Sequence, residues 1–213
     1  MASGFLDFAV GGNEFVIYVP RKPVAAPAPA ILFLHGRGES GTDGIKQTAI
    51  GLGNAIRMAA ADWPFLVVMP QKPDFDLLWP NYTDRIDECL RFAESRFKID
   101  PHRRYITGLS QGGNGTFELA GSLAWQFAAA APVCGWIDSE GAAAKIAHIP
   151  VWVFHGDADT AVPIAKGRAA VESIRLAGGN AKLTEYPGVG HNSWDNAYQK
   201  ESLGAWFLEH SLD

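Results

Sequence analysis

Apolar residues fall along this chain in two rhythms. Continuous runs such as Ala-Ile-Leu-Phe-Leu at 30–34 and Phe-Leu-Val-Val-Met at 65–69 suit strands buried on both faces. Similar runs occupy 104–107, 127–133, 151–154 and 182–186. Between them lie 45–60, 83–97, 112–123, 163–177 and 194–210, where apolar residues return every three or four positions, as on one face of a helix. Ile86, Leu90 and Phe97 make one such stripe, with charged residues between them. Earlier, two strand-like runs at 5–10 and 14–19 flank Gly11-Gly12-Asn13 and predict a hairpin. The Pro/Ala-rich stretch 23–29 reads as a connector, too short to divide domains.

Strands alternating with helices predict an α/β fold: a mostly parallel twisted sheet with helices on both faces. The hairpin adds an antiparallel edge. With 213 residues the chain suits one domain over 1–213, and no interval between strands is long enough for a large lid. A composition of 47% hydrophobic and 19% charged residues excludes disorder. The net charge of −5 gives no electrostatic reason to expect nucleic acid or an anionic membrane. No apolar run approaches the ~20 residues of a membrane span. Met-Ala-Ser-Gly-Phe-Leu-Asp-Phe at the start has neither a basic flank nor a long apolar core, so the cytoplasm is the expectation. Cys89 and Cys134 are expected to be buried free thiols.

Gly108-Leu109-Ser110-Gln111-Gly112 stands between a predicted strand and a predicted helix. Gly-x-Ser-x-Gly in that context makes a nucleophile elbow, in which a sharp turn presents the serine at the carboxyl edge of the sheet. A serine hydroxyl needs a base. His191, in the loop 188–194 after the last predicted strand, is placed to return to that edge. His102, His148 and His210 suit solvated or connecting positions, whereas His35 and His155 end strands and read as supporting groups. The acid comes from the loop after 151–154, which offers Asp157 and Asp159. Asp159 has the longer reach toward His191, and Asp157 suits holding the loop through backbone N–H groups. The glycine-rich segment His35-Gly-Arg-Gly-Glu-Ser-Gly41 supplies one candidate oxyanion donor, the N–H of Arg37, and the N–H of Gln111 supplies another.

These segments, with His155-Gly-Asp-Ala-Asp-Thr-Ala-Val-Pro163 and Gly190-His-Asn-Ser-Trp194, together resemble the phospholipase/carboxylesterase and predicted-peptidase branch of the α/β hydrolases, near dienelactone hydrolases, acyl-protein thioesterases and feruloyl esterases. The resemblance runs from about residue 30 to the C-terminus. It implies Ser110, Asp159 and His191 as a triad, with Arg37 and Gln111 as oxyanion donors. Acyl-protein thioesterases typically carry an apolar residue where this chain has Arg37, which argues against long acyl thioesters.

Trp79, Trp136 and Trp194 fall in loops expected at the carboxyl edge and are candidate walls of a substrate pocket, with Phe75 nearby. With little covering sequence the cleft should be shallow. The expected function is hydrolysis of short-chain or aryl carboxylic esters through an acyl-enzyme, without cofactor or metal. Acyl thioesterase, feruloyl-type esterase and small peptidase are the alternatives on the same triad, and a non-catalytic receptor is the alternative outside catalysis. A small-molecule ester is the expected partner, and a homodimer is compatible with the sequence.

Overall fold

The computed structural model describes residues 2–22 and 26–213, so positions 23–25 of the predicted connector lie outside the described residues. The strands are β1 (Gly4–Val10), β2 (Asn13–Val19), β3 (Ala28–Leu34), β4 (Leu66–Pro70), β5 (Ile99–Leu109), β6 (Ala129–Val133), β7 (Val151–Gly156) and β8 (Ala181–Tyr186). They form one sheet in the order β1-β2-β4-β3-β5-β6-β7-β8. The predicted hairpin is present, and β2 pairs antiparallel with β4. From β4 to β8 every pairing is parallel. The chain steps outward from β3 to β4, then crosses back to lay β5 on the other side of β3. Such a reversal opens a crevice at the carboxyl ends of the strands, where open α/β sheets bind ligands.

The helices are α1 (Leu52–Met58), α2 (Thr83–Arg96), α3 (Gln111–Leu119), α4 (Ala142–Ile146), α5 (Ile164–Leu176), α6 (Trp194–Gln199) and α7 (Leu203–Leu208). Because side chains alternate along a strand, the sheet builds two cores. Phe15, Ile17, Leu32, Val68 and Ile106 meet Ile86 and Leu90 of α2, Phe117 of α3 and Ile174 of α5. Val16, Ile31, Phe33, Val67 and Tyr105 meet Leu52 and Ile56 of α1, Tyr198 of α6 and Phe207 of α7. Both faces are thus covered, as the continuous apolar strands require. No separate lid domain stands over the carboxyl edge among the described residues.

Three expectations are corrected. The predicted helix 45–60 is a 3-10 turn, Lys46–Thr48, followed by the short α1. Gly51, between them, has φ 55° and packs so close to Leu109 that a Cβ would come within 2.5 Å of its side chain. The predicted helix 194–210 is two helices, α6 and α7, broken at residues 200–202. Finally, α4 fills a stretch with no assigned element. Cys89 and Cys134 are buried and free, as expected.

Candidate active site

The elbow forms where the sequence places it. Ser110 joins β5 to α3 with φ 55° and ψ −116°, a region that a residue with a Cβ rarely enters. The glycines around it are demanded by backbone proximity. A Cβ on Gly108 would lie 2.5 Å from the carbonyl oxygens of Gly112 and Leu34, and one on Gly112 only 1.9 Å from Leu34 O. Strand and helix therefore press together, and Ser110 is left half-buried at the turn.

Ser110 Oγ lies 2.9 Å from His191 Nε2, and His191 Nδ1 lies 2.7 Å from Asp159 Oδ2. The loops after β5, β7 and β8 supply the three residues, so the sheet brings together groups far apart in the chain. The Asp159 side chain is wholly buried, while that of His191 is 27% exposed. Asp157 stands outside this chain of bonds. It accepts the Gly188 amide at 2.7 Å and ties its loop to the histidine loop, the role its position predicts.

Cys134, at the end of β6, lies behind the histidine. Its sulfur and the polar atoms of Asp159 and His191 fall within 4.8 Å of one another, a grouping that sequence spacing does not reveal. Three such atoms could ligate a metal, yet His191 Nδ1 and Asp159 are already bonded to each other. Burial pushes the Cys134 thiol up to about 12. Cys134 therefore stays a neutral thiol, a poor ligand and a poor nucleophile.

The first oxyanion candidate, Arg37, opens a 3-10 turn, Arg37–Glu39, just after β3. Gln111 is the first residue of α3. Among the described residues neither amide donates to another backbone group, as expected of N–H groups at helix starts. The loop carrying Arg37 is bound to the loop after β4. Gly41 N donates to Lys72 O at 3.0 Å, Lys72 N to His35 Nε2 at 3.1 Å, and Gln71 Nε2 to Glu39 O at 2.8 Å. Lys72 is fully buried, and its ammonium donates to Ser40 Oγ at 2.8 Å and to Asp74 O. Burial lowers its pKa to about 8. His35 is likewise buried and pushed down to about 3, chiefly by burial. It is a neutral supporting group: Nδ1 donates to Gly36 O at 2.6 Å, leaving Nε2 to accept from Lys72.

The three tryptophans part company. Trp79 is corrected from pocket wall to support. It is fully buried, its indole N–H donates to His35 O at 2.9 Å, and it packs against Gly115 and the His35 ring. Trp136 and Trp194 are half-buried. Trp136 donates to Asp138 Oδ2 at 2.6 Å and lies under the Lys166 ammonium. Trp194 stands edge-on to the His191 ring at 5.5 Å. Phe75 is 45% exposed. Near it, Arg37 Nη2 pairs with Asp76 at 2.8 Å, and Gln111 Nε2 donates to Phe75 O at 3.1 Å. His102 and His148 are exposed as expected, but His210 is half-buried against Trp206 at 4.8 Å. The clearest surface cavities among the described residues, from about 150 to about 740 Å³, are lined by residues other than Ser110, Asp159 and His191.

Known proteins resemble this chain to differing degrees. Residues 70–202 match the phospholipase/carboxylesterase family. A thermostable esterase of known structure is 31% identical, with a TM-score of 0.81 over 98% of this chain, which spans 63% of that protein's length. A truncated carbohydrate esterase from gut microbiota is 18% identical, with a TM-score of 0.73 over 95% of this chain and 92% of its own. S-formylglutathione hydrolase from Staphylococcus aureus is 16% identical, with a TM-score of 0.73 over 97% of this chain and 96% of its own. At such identities the last two speak to the fold alone.

Proposed function

Because the chain belongs to the phospholipase/carboxylesterase family, we propose that it is a serine carboxylesterase acting on short-chain or aryl esters through Ser110, His191 and Asp159. The observation that carries the reading is the unbroken relay from Ser110 Oγ to His191 at 2.9 Å and on to Asp159 at 2.7 Å. In this reading His191 Nε2 takes the proton of Ser110 as Oγ attacks the ester carbonyl carbon. Asp159 fixes the ring with its proton on Nδ1 and stabilises the imidazolium. The carbonyl oxygen becomes an oxyanion, met by the N–H groups of Arg37 and Gln111. Donors of this kind contribute about 3 kcal/mol each. Collapse of the intermediate expels the alcohol, which takes the proton from His191 and leaves an acyl group on Ser110. Water, deprotonated by the same histidine, then releases the carboxylic acid.

Short acyl chains and aryl groups are favoured because no separate lid domain encloses the carboxyl edge among the described residues, and because the half-buried indoles of Trp136 and Trp194 offer faces for a ring. A complete relay also disfavours a non-catalytic receptor. Ser110→Ala is expected to lower kcat on p-nitrophenyl acetate by up to ~10⁶-fold, the loss typical of a removed triad member, and to abolish labelling by a fluorophosphonate. Turnover near the wild-type rate in the folded variant would overturn the proposal.

A further inference from the structure

We infer that His155 is a positioning residue for the catalytic acid, holding through its Nε2–H the Val162 peptide whose amide binds the Asp159 carboxylate. The inference rests on the triad reading above. The two carboxylate oxygens of Asp159 are differently engaged. Oδ1 accepts from the amides of Ala161 and Val162, each at 2.9 Å. Oδ2 accepts from His191 at 2.7 Å and lies 3.3 Å from His155 Nε2. The side chains of Asp159 and His155 are both wholly buried.

The tautomer of His155 follows from its surroundings. Nε2 also lies 2.8 Å from Val162 O. A carbonyl only accepts, so the proton sits on Nε2 and is donated to that carbonyl, with Asp159 Oδ2 standing 3.3 Å away. Nδ1 is buried with no partner among the described residues. A proton there would be an unsatisfied buried donor. The ring is therefore an Nε2–H donor to Val162, whose own amide donates to Asp159 Oδ1.

Helix α5 makes room for this ring. Gly167 passes directly over it, and a Cβ at that position would come within 2.6 Å of Nδ1. Glycine is a poorer helix former than alanine, so the close approach is kept against local helix preference. The consequence for catalysis is orientational. If the Val162 peptide were not held, its amide would leave Oδ1 and the carboxylate would be free to swing Oδ2 away from His191 Nδ1. Displacement of a catalytic group by 1 Å can cost ~100-fold in rate.

The test uses three variants, with kcat and KM measured on p-nitrophenyl acetate beside Ser110→Ala and folding followed by circular dichroism. His155→Leu removes the donor at similar volume. His155→Gln keeps an N–H at the same reach. Gly167→Ala displaces the ring without altering it. His155→Leu and Gly167→Ala are expected to lose roughly 10–100-fold in kcat with little change in KM, and His155→Gln to recover most of that loss. Wild-type kcat in folded His155→Leu or Gly167→Ala overturns the inference, as does a glutamine variant no better than leucine. If His155→Leu does not fold, the glutamine and Gly167→Ala variants decide. An active Ser110→Ala would bring down the triad reading itself. An inactive Ser110→Ala beside a fully active His155→Leu would remove only the role of His155.

Discussion

His35 shows how a supporting residue sets the pH range of this protein. Buried at the end of β3, its ring is held neutral down to about pH 3, chiefly by burial, whereas in the unfolded chain it protonates near 6.5. Between those values the unfolded state binds the extra proton, so stability falls as pH falls from 6.5 toward 3. The slope for one such group is about 1.4 kcal/mol per pH unit. Urea titrations from pH 4 to 7 are expected to give a steeper loss for the wild type than for His35→Gln, the difference isolating His35 from the carboxylates. Equal slopes would mean that the ring protonates within the fold. Residues at this scale were unevenly readable from sequence. Ser110, His191 and Asp159 announce themselves because an elbow and two loop motifs constrain residue type. Trp79 does not, since an aromatic in a polar loop looks the same whether it faces solvent or, as here, donates its N–H to the His35 carbonyl. Lys72 was missed altogether. Nothing in Gln71-Lys72-Pro73 says that an ammonium will be fully buried against Ser40 and a carbonyl.

At the level of elements, packing against the sheet overrode periodicity twice. Residues 45–60 have the spacing of one helix, but Gly51 takes φ 55° so that the chain can pass close over Leu109. The stripe of 194–210 survives a break because Tyr198 and Phe207 reach the same core from separate helices. Strand β5 begins earlier than its apolar run because Asp100, His102 and Arg103 are polar and largely outside the core, with Arg103 held by Asp100 at 2.7 Å. The elbow was readable because its glycines answer to contacts that any such turn must make. Gly112→Ala tests that reason. Its Cβ would fall 1.9 Å from Leu34 O and 2.7 Å from His35 O, both backbone atoms leading into the Arg37 turn. A loss of about 1–3 kcal/mol in stability is expected, the usual range for overpacking. It should be accompanied by a drop in kcat as the oxyanion loop shifts. An alanine variant with unchanged urea midpoint and rate would show that α3 and β3 are less tightly joined.

The described residues form an α/β core with short loops, and this bears on the esters proposed for it. Each methylene of an acyl chain contributes about 0.8 kcal/mol only when buried. A site without an enclosing lid should stop gaining after a few carbons. In a series of p-nitrophenyl esters, kcat/KM is expected to peak between acetyl and roughly hexanoyl, since later carbons add no further burial at 0.8 kcal/mol each. A rate climbing through palmitoyl would reveal an acyl channel. The strand order carries a different consequence, for the time at which activity is born. Ser110, Asp159 and His191 all follow strands β5 to β8, whereas Arg37 follows β3, and the two groups meet only where β3 and β5 pair. The proposed nucleophile's relay belongs to the second half of the polypeptide and one arm of the proposed anion receptor to the first. The proposed site is thus a seam, sewn only when distant stretches of chain have found each other. Such long-range pairing is slow to form. During refolding from urea, esterase activity is therefore expected to return after the far-ultraviolet helical signal has recovered, and simultaneous recovery would show that the seam closes before the helices settle.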